Sequence, residues 1–239
     1  MSGHSKWHNI QGRKGKQDAI RSNQFTKLAK AITIAAQNGA DPAANFSLRL
    51  AIDKAKEGGM PKDNIDRAIK RGTGELKDGL PMEELLYEAF GPGGVAILIS
   101  ALTDNKNRTL PELKKILTTH GGSIAGAGSV QWMFEQWGVI AVNKEVLSDR
   151  ENFELQLIES GAEDIQDDAG EVVVKTKVEN FQKVLNVVKN LAIIPQEAEI
   201  RWLPKEIVVV EPDKQESLEN LFGELEAHDD VKEFYTNAG

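Results

Sequence analysis

The segment at residues 138–203 reads GVIAVNKEVLSDRENFELQLIESGAEDIQDDAGEVVVKTKVENFQKVLNVVKNLAIIPQEAEIRWL. Its apolar spacing, with Gly161 as a helix stop, separates into short alternating runs and two helical stripes. The predicted elements are strands over 139–142, 163–166, 172–176 and 198–203, and helices over 148–160 and 181–188. Their order is strand, helix, strand, strand, helix, strand, which is the order of a ferredoxin-like unit.

Neither of the segments that flank this unit contains enough strands and helices to form a core by itself. Before it we predict strands over 85–90, 95–102 and 129–135, and a helix that follows a capping box at Thr109. After it we predict a strand over 207–211, a helix over 215–227 and a strand over 231–235. Three elements cannot bury a core alone, so we expect the late ones to complete a sheet begun by residues 95–135.

The N-terminal third reads as a basic arm and three short helices. One apolar stripe begins at Phe25, a second helix follows Asp41 as its N-cap, and Pro61 opens a third. Gly72 is predicted to follow the end of that third helix in a left-handed conformation. Three helices with small inward residues make a compact bundle, and its outline only weakly resembles a helix-turn-helix.

The predicted fold class is therefore α+β, with an N-terminal three-helix bundle followed by two ferredoxin-like α/β domains, one inserted into the other. The predicted domains are residues 1–77 for the arm and bundle, 78–135 plus 205–239 for a discontinuous middle domain, and 136–204 for the inserted domain. This arrangement fails if the C-terminal strand pairs with the strands of residues 139–203.

Charge is distributed unevenly along the 239 residues. The formal net charge is −8, but residues 1–77 carry 15 Lys and Arg against 7 Asp and Glu, a net +8, whereas residues 78–239 carry −16. Such a split directs a search for a nucleic-acid partner to the basic part. The predicted nucleic-acid-binding residues are Lys6, Trp7, Arg13, Lys14, Lys16, Arg21, Lys27, Lys30, Lys62, Arg67, Lys70 and Arg71. The lysines and arginines would contact phosphates and Trp7 would stack on a base; a solvated arm that does neither is the alternative.

A second candidate is the junction between a predicted strand and a predicted helix. Its residues are Asn105, Lys106, Asn107 and Arg108. Amides at a helix N-terminus together with two cations could hold an anion or contact RNA. A polar loop ordered by Asn and Asp turns is an equally good interpretation of the same residues.

Other chemistry finds little support in the sequence. The chain has no Cys, which excludes disulfides, thiol nucleophiles and zinc–thiolate sites. His4 and His8 make a poor metal pair, and the carboxylates at 163, 164, 167 and 168 fit hairpin residues better than a cation site. We therefore predict no catalytic residues, no metal, no cofactor and no enzymatic activity.

Several ordered motifs resemble the YebC/PmpR family, over nearly the whole chain. They are Gly3-His4-Ser5-Lys6-Trp7, Arg13-Lys14, Phe25-Thr26-Lys27-Leu28, Met60-Pro61-Lys62-Asp63-Asn64-Ile65, Arg67-Ala68-Ile69-Lys70-Arg71-Gly72, Gly91-Pro92-Gly93-Gly94 and Thr103-Asp104-Asn105-Lys106-Asn107-Arg108-Thr109. Members of that family are described as probable DNA-binding transcriptional regulators. It also includes mitochondrial translational activators of cytochrome c oxidase, and bacterial members are connected with translation through stalling sequences. The resemblance implies control of gene expression without catalysis.

Two functions follow as expectations. The first is a cytoplasmic DNA-binding transcriptional regulator that acts through its basic N-terminal domain. The alternative is a translation factor that binds ribosomal RNA or the ribosome and helps translation through stalling sequences. A protein-docking scaffold is a weaker third interpretation. We expect no membrane association, and the sequence leaves monomer and dimer open.

Overall fold

A computed structural model describes residues 17–76, 81–168 and 170–239, with side chains from Gln24 onward. These residues divide into two compact units. One unit is residues 132–206, and the other joins the described residues up to 131 with residues 207–239. The domain boundaries given above stay a prediction, and the one after residue 77 lies outside the described residues.

The described residues form seven α-helices and eight strands. The helices are α1 (Gln17–Ala36), α2 (Phe46–Glu57), α3 (Lys62–Gly72), α4 (Lys106–Thr119), α5 (Arg150–Ser160), α6 (Phe181–Asn190) and α7 (Pro212–Ala227). The strands are β1 (Glu83–Phe90), β2 (Ala96–Thr103), β3 (Ser123–Ile124), β4 (Phe134–Asn143), β5 (Ala162–Asp168), β6 (Glu171–Thr176), β7 (Glu197–Pro204) and β8 (Val231–Thr236).

The unit of residues 132–206 has the elements that its hydrophobic pattern predicts. Its strands lie in the order β5-β6-β4-β7, and neighbouring strands are antiparallel. Central strand β4 contributes buried Ile140 and Val142, and helix α5 contributes buried Phe153 and Leu157. Gly138 packs closely against Phe181 of α6, and a Cβ added at this glycine would lie 2.5 Å from the ring. This order of strands and helices is that of a ferredoxin-like unit, as the sequence predicts.

The second unit contains an antiparallel sheet in the order β3-β1-β2-β8. Strand β8 pairs with β2, with Ile99 opposite Phe234, and not with the strands of residues 139–203. Helices α4 and α7 cover one core with buried Leu113, Leu117 and Leu221. The described chain is therefore α+β, with N-terminal helices followed by two sheets.

Two predicted strands of this sheet are wrong. Within 129–135, residues Gln131–Met133 form a 3₁₀ turn, and the strand that follows belongs to the other unit. The reason is Glu88, whose carboxylate accepts the amide N–H groups of Gly128, Val130 and Gln131, so that these amides cannot join a strand ladder. Residues 207–211 do not form a strand of the sheet, and their strand-like pairing is one isolated parallel bridge between Val208 and Ala238.

Helix α4 begins earlier than its predicted capping box. Asn105 is the N-cap, and its side chain accepts a hydrogen bond from the amide of Arg108. Thr109 lies inside the first turns and is fully buried. Likewise, α2 begins after Asn45 and not after Asp41. Asn45 is the better cap because it also donates to the carbonyls of Ala35 and Gly39 and so joins α1 to α2.

The bundle of α1, α2 and α3 encloses a small core that includes Ile32, Leu48 and Ile65. The predicted role of Gly72 is wrong, since Gly72 is the last residue of α3 and the left-handed residue is Gly74, with φ 77°. Gly72 instead permits close packing of α3 against α1. An added Cβ would lie 2.3 Å from the carbonyl oxygen of Thr33 in α1.

We expect Gly72→Ala to lower the free energy of unfolding by about 1–3 kcal/mol, because the methyl group would force α1 and α3 apart. Urea denaturation of the purified protein measures this change. Gly223→Ala is the matched control, since Gly223 lies within α7 and an added Cβ there has no neighbour within 4 Å. A Gly72→Ala protein as stable as the wild type would show that the two helices do not need this close contact.

Candidate nucleic-acid interface

Helix α3 separates its apolar and basic residues onto opposite faces. Ile65 and Ala68 are buried in the bundle core, whereas Lys62, Arg67 and Lys70 are exposed. Pro61 precedes the helix with extended backbone angles, which fixes where its basic face begins. The helix thus presents three of the predicted nucleic-acid contacts to solvent.

The second predicted site lies at the start of α4. Asn105 caps the helix, and Lys106 and Asn107 are exposed in its first turn. The side chain of Arg108 is 46% exposed, and it turns back toward Asp104 and Asp230. The loop is therefore ordered by an Asn cap, as one interpretation holds, while it still presents Lys106 at a helix N-terminus.

An ion pair joins these two places. Nη2 of Arg71, in the last turn of α3, lies 3.7 Å from Oδ2 of Asp104, which precedes the cap of α4. Oδ1 of Asp104 lies 3.4 Å from Nη2 of Arg108. The basic end of α3 and the first turn of α4 are therefore adjacent, although 30 or more residues separate them in sequence.

The same contacts continue inward as a chain of alternating charges. Arg108 Nη2 lies 2.9 Å from Oδ2 of Asp230, and Lys30 Nζ of α1 lies 2.5 Å from its Oδ1. We call Lys30, Asp230, Arg108, Asp104 and Arg71 the ion-pair chain. Both of its ends are in the helical bundle and its middle members are in the sheet region, so it fastens α1 and α3 to α4.

Asp230 is the most buried member of the ion-pair chain, at 2% exposure. Thr109 donates a 2.7 Å hydrogen bond to Oδ2, and Thr103 is 3.3 Å from the same oxygen. Burial raises the pKa of this carboxyl, but hydrogen bonds from Lys30, Thr109 and Arg108 outweigh it and hold the pKa far below its ordinary value. In turn, the hydrogen bond to Asp230 raises the pKa of Arg108. Asp230 is ionised at neutral pH.

Two lysines predicted to contact nucleic acid have partners inside the protein. Lys27 Nζ donates to the carbonyl of Glu226 at 2.5 Å, and Lys30 Nζ also donates to the carbonyl of Asp229 at 2.9 Å. Burial lowers the pKa of Lys27 to about 8, against the opposing effect of nearby Glu226. The structure places the ammonium group of Lys27 against the last turn of α7 and that of Lys30 against the turn that follows the helix.

Other predicted residues lie elsewhere. Outside the described residues are Lys6, Trp7, Arg13, Lys14 and Lys16, together with the side chain of Arg21. The acidic hairpin in the other unit is held by ion pairs, of Asp167 with Lys144 at 2.6 Å and of Asp164 with Lys175 at 3.3 Å. Within the described ranges, no group of three or more His, Asp or Glu residues is arranged to hold a metal ion.

Sequence reasoning did not single out Asp230, and it gave Thr109 only a helix-capping role and Thr103 only a place in a family motif. Asp230 stands in the His-Asp-Asp run at 228–230, which looks like an ordinary solvated turn. Thr103 and Thr109 bracket the predicted loop, and their six-residue separation is the one local signal that both could reach a common acceptor. No described helix is long and apolar enough to cross a membrane.

These features define a class of protein in which a small helical bundle, basic on one helix, is fastened by ion pairs to an α+β sheet region. Family models match most of the chain: the TACO1/YebC N-terminal domain over residues 5–75 and the TACO1/YebC second and third domain over 82–238. The chain belongs to the TACO1/YebC family.

Individual relatives agree with this assignment. A probable transcriptional regulatory protein of Caldanaerobacter subterraneus is 47% identical over 99% of this chain and 98% of its own length. A protein of the same description from Thermoanaerobacter pseudethanolicus is 45% identical over 99% and 96%. The crystal structure of a conserved hypothetical protein from Aquifex aeolicus is similar with a TM-score of 0.86 and 38% identity, covering 98% of this chain and 97% of that one.

Proposed function

We propose that this protein is a non-enzymatic, cytoplasmic regulator of gene expression that binds DNA through its basic N-terminal domain. The observation that carries the proposal is the Arg71–Asp104 contact, which makes one surface of two separately predicted sites. We define the α3–α4 surface as Lys62, Arg67, Lys70, Arg71, Lys106, Asn107 and Arg108.

Electrostatics supports a polyanionic partner for this surface. Six of its seven residues are cations. The neighbouring carboxylates at the surface are Asp63, Asp66, Asp104 and Glu112, and the buried Asp230 pairs with Arg108 from the inner side. A protein that neutralises phosphates with Lys and Arg releases counterions, so its affinity falls steeply as salt rises. The first turn of α4 adds amide groups and the positive end of the helix dipole. Phosphates along one strand of a duplex would contact α3 and α4 together.

The descriptions of the relatives as probable transcriptional regulatory proteins favour DNA as that partner. Ribosomal RNA offers the same phosphates, so binding to RNA or to the ribosome is the outcome that would replace DNA in the test below. Base contacts from exposed Asn64 on α3 would supply sequence preference on a duplex.

We expect Lys62→Ala/Lys70→Ala to weaken binding to a short duplex by about tenfold or more and to lower the slope of log K against log salt by about 2. Fluorescence anisotropy across a KCl series measures both quantities, with a ribosomal RNA hairpin as the second probe. Lys54→Ala/Lys56→Ala removes the same charge from α2 and is the matched control.

An equal loss of duplex affinity in the two double variants would show that overall charge, and not the α3–α4 surface, binds the duplex. Tight binding of the hairpin together with weak binding of every duplex would favour the translation factor. Binding of neither probe by the wild-type protein would contradict both functions.

A further inference from the structure

Asp104 occupies an unusual position between two arginines. Each of its carboxylate oxygens lies near one guanidinium, Oδ1 at 3.4 Å from Arg108 and Oδ2 at 3.7 Å from Arg71. All three side chains are between 32% and 46% exposed. An anion from solvent can therefore reach the same two guanidinium groups.

The two contacts of Asp104 are loose ones. Charge-assisted N–H···O bonds usually span about 2.7–2.9 Å, so both distances are long for a carboxylate between two arginines. Half-exposed pairs of this kind are weak, because water and salt screen them. Asp230 forms a contrast within the same ion-pair chain, since it is buried and accepts bonds as short as 2.5 Å.

Arg108 would keep its place if Asp104 moved away. Its Nη2 group is bonded to both carboxylate oxygens of Asp230, at 2.9 and 3.1 Å. The backbone of Arg71 is placed by the last turn of α3, which packs closely on α1 through Gly72, and its guanidinium reaches Asp104 from there. One guanidinium group is thus held in place by Asp230 and a second lies within reach, on either side of one loosely held internal anion.

We propose that Arg71 and Arg108 form a phosphate-binding site and that Asp104 occupies it in the free protein as an internal competitor. This inference rests on the proposed function in one respect, namely that the phosphate belongs to a nucleic-acid backbone. A phosphate group has more acceptor oxygens than a carboxylate and suits bidentate arginine contacts. Binding then swings Asp104 out to solvent and leaves Asp230 in place.

The test begins with Asp104→Asn, which removes the competing charge and keeps the shape. We expect it to raise affinity for the duplex and for the RNA hairpin by about fivefold, the equivalent of about 1 kcal/mol. Asp53→Asn on α2 is the control with the same charge change, because Asp53 is exposed and lies 4.0 Å from the exposed Lys56. Adding Arg71→Gln to Asp104→Asn should abolish the gain. Equal affinity of Asp104→Asn and Asp53→Asn for both probes would overturn the proposal.

A second measurement separates this site from the proposed function. Orthophosphate titrated into the ¹⁵N-labelled Asp104→Asn protein should shift the side-chain Nε–Hε signals of Arg71 and Arg108, and should shift them less in the wild type. The site stands on that result even if the protein binds no nucleic acid, in which case the proposed function alone fails. Unshifted signals in Asp104→Asn would overturn the site whatever the binding data show.

Discussion

Asp230→Asn is expected to lower the free energy of unfolding by about 3–5 kcal/mol, the usual result of removing one partner from a buried ion pair. The change leaves Lys30 and Arg108 facing each other without their shared anion. It also turns an amide N–H₂ toward the donor groups of Thr109 or Lys30. Urea denaturation followed by circular dichroism measures the effect.

Asp229→Asn is the control for this change. The Asp229 side chain is exposed, and Lys30 contacts only its main-chain carbonyl, which the substitution leaves intact. We expect Asp229→Asn to change the free energy of unfolding by at most a few tenths of a kcal/mol, as for most surface substitutions. Equal stability of Asp230→Asn and Asp229→Asn would show that the ion-pair chain does not hold the bundle in place.

Acid should abolish the difference between wild type and Asp230→Asn. The pKa of Asp230 is lowered in the folded protein, since hydrogen bonds overcome the effect of burial. Its contribution to the free energy of unfolding is therefore complete above the ordinary Asp pKa of about 4. That contribution is lost as pH falls through the pKa that Asp230 has in the folded protein. Denaturation at neutral pH should show the full gap between the two proteins, and the gap should narrow only below about pH 4.

Glu88→Gln is expected to cost about 3 kcal/mol of stability, because the carboxylate is buried and serves three backbone amides. The N–H groups of Gly128 and Val130 each lie 2.5 Å from it, and that of Gln131 lies 2.8 Å away. Burial opposes ionisation, but these backbone hydrogen bonds outweigh it and lower the pKa of Glu88. Glutamine keeps one acceptor oxygen and presents N–H₂ to the remaining donors.

Glu84→Gln on the same strand is the control, because Glu84 is exposed and pairs with Lys232 at the surface. Amide hydrogen exchange should speed up in residues 126–131 of Glu88→Gln and stay unchanged in Glu84→Gln. Wild-type exchange rates in that segment would contradict the assigned role of the carboxylate.

The sequence predicts best those elements whose pattern is local. The ferredoxin-like unit of residues 132–206 follows from alternating apolar residues and from turn glycines such as Gly161, which is left-handed with φ 108°. The pairing of β8 with β2 also follows, since late elements without a core must join an earlier sheet. Local periodicity and the need to bury apolar surface are sufficient in both cases.

The elements that the sequence does not predict are those with a misleading or very short apolar pattern and those organised by long-range polar contacts. The run at 207–211 looks like a strand, yet Val209 is 84% exposed and only Val208 forms a bridge. Strand β3 has two residues and so carries no periodic signal. Glu88 and Asp230 each organise a loop from 40 or more residues away, and no local rule connects an acid with amides or cations at that separation.

In the candidate site, too, some features follow from a local sequence pattern and others depend on contacts made over long sequence distances. Exposure of Lys62, Arg67 and Lys70 follows from the apolar stripe of α3, which leaves them on the opposite face. The inward position of Lys27 and Lys30 does not follow, since their partners lie about 200 residues later in the chain. Adjacency of α3 to α4 depends on the fold alone.

Photo-crosslinking tests most directly whether α3 and α4 bind one nucleic acid together. The crosslinking amino acid p-benzoylphenylalanine is placed in turn at Asn64 on α3 and at Asn107 on α4, with Gln182 on α6 as the control. DNA and RNA recovered after irradiation of living cells are then both sequenced. We expect Asn64 and Asn107 to recover the same DNA fragments and Gln182 to recover none. Crosslinks from Asn64 without any from Asn107, or none above the control from either position, would contradict a shared α3–α4 surface.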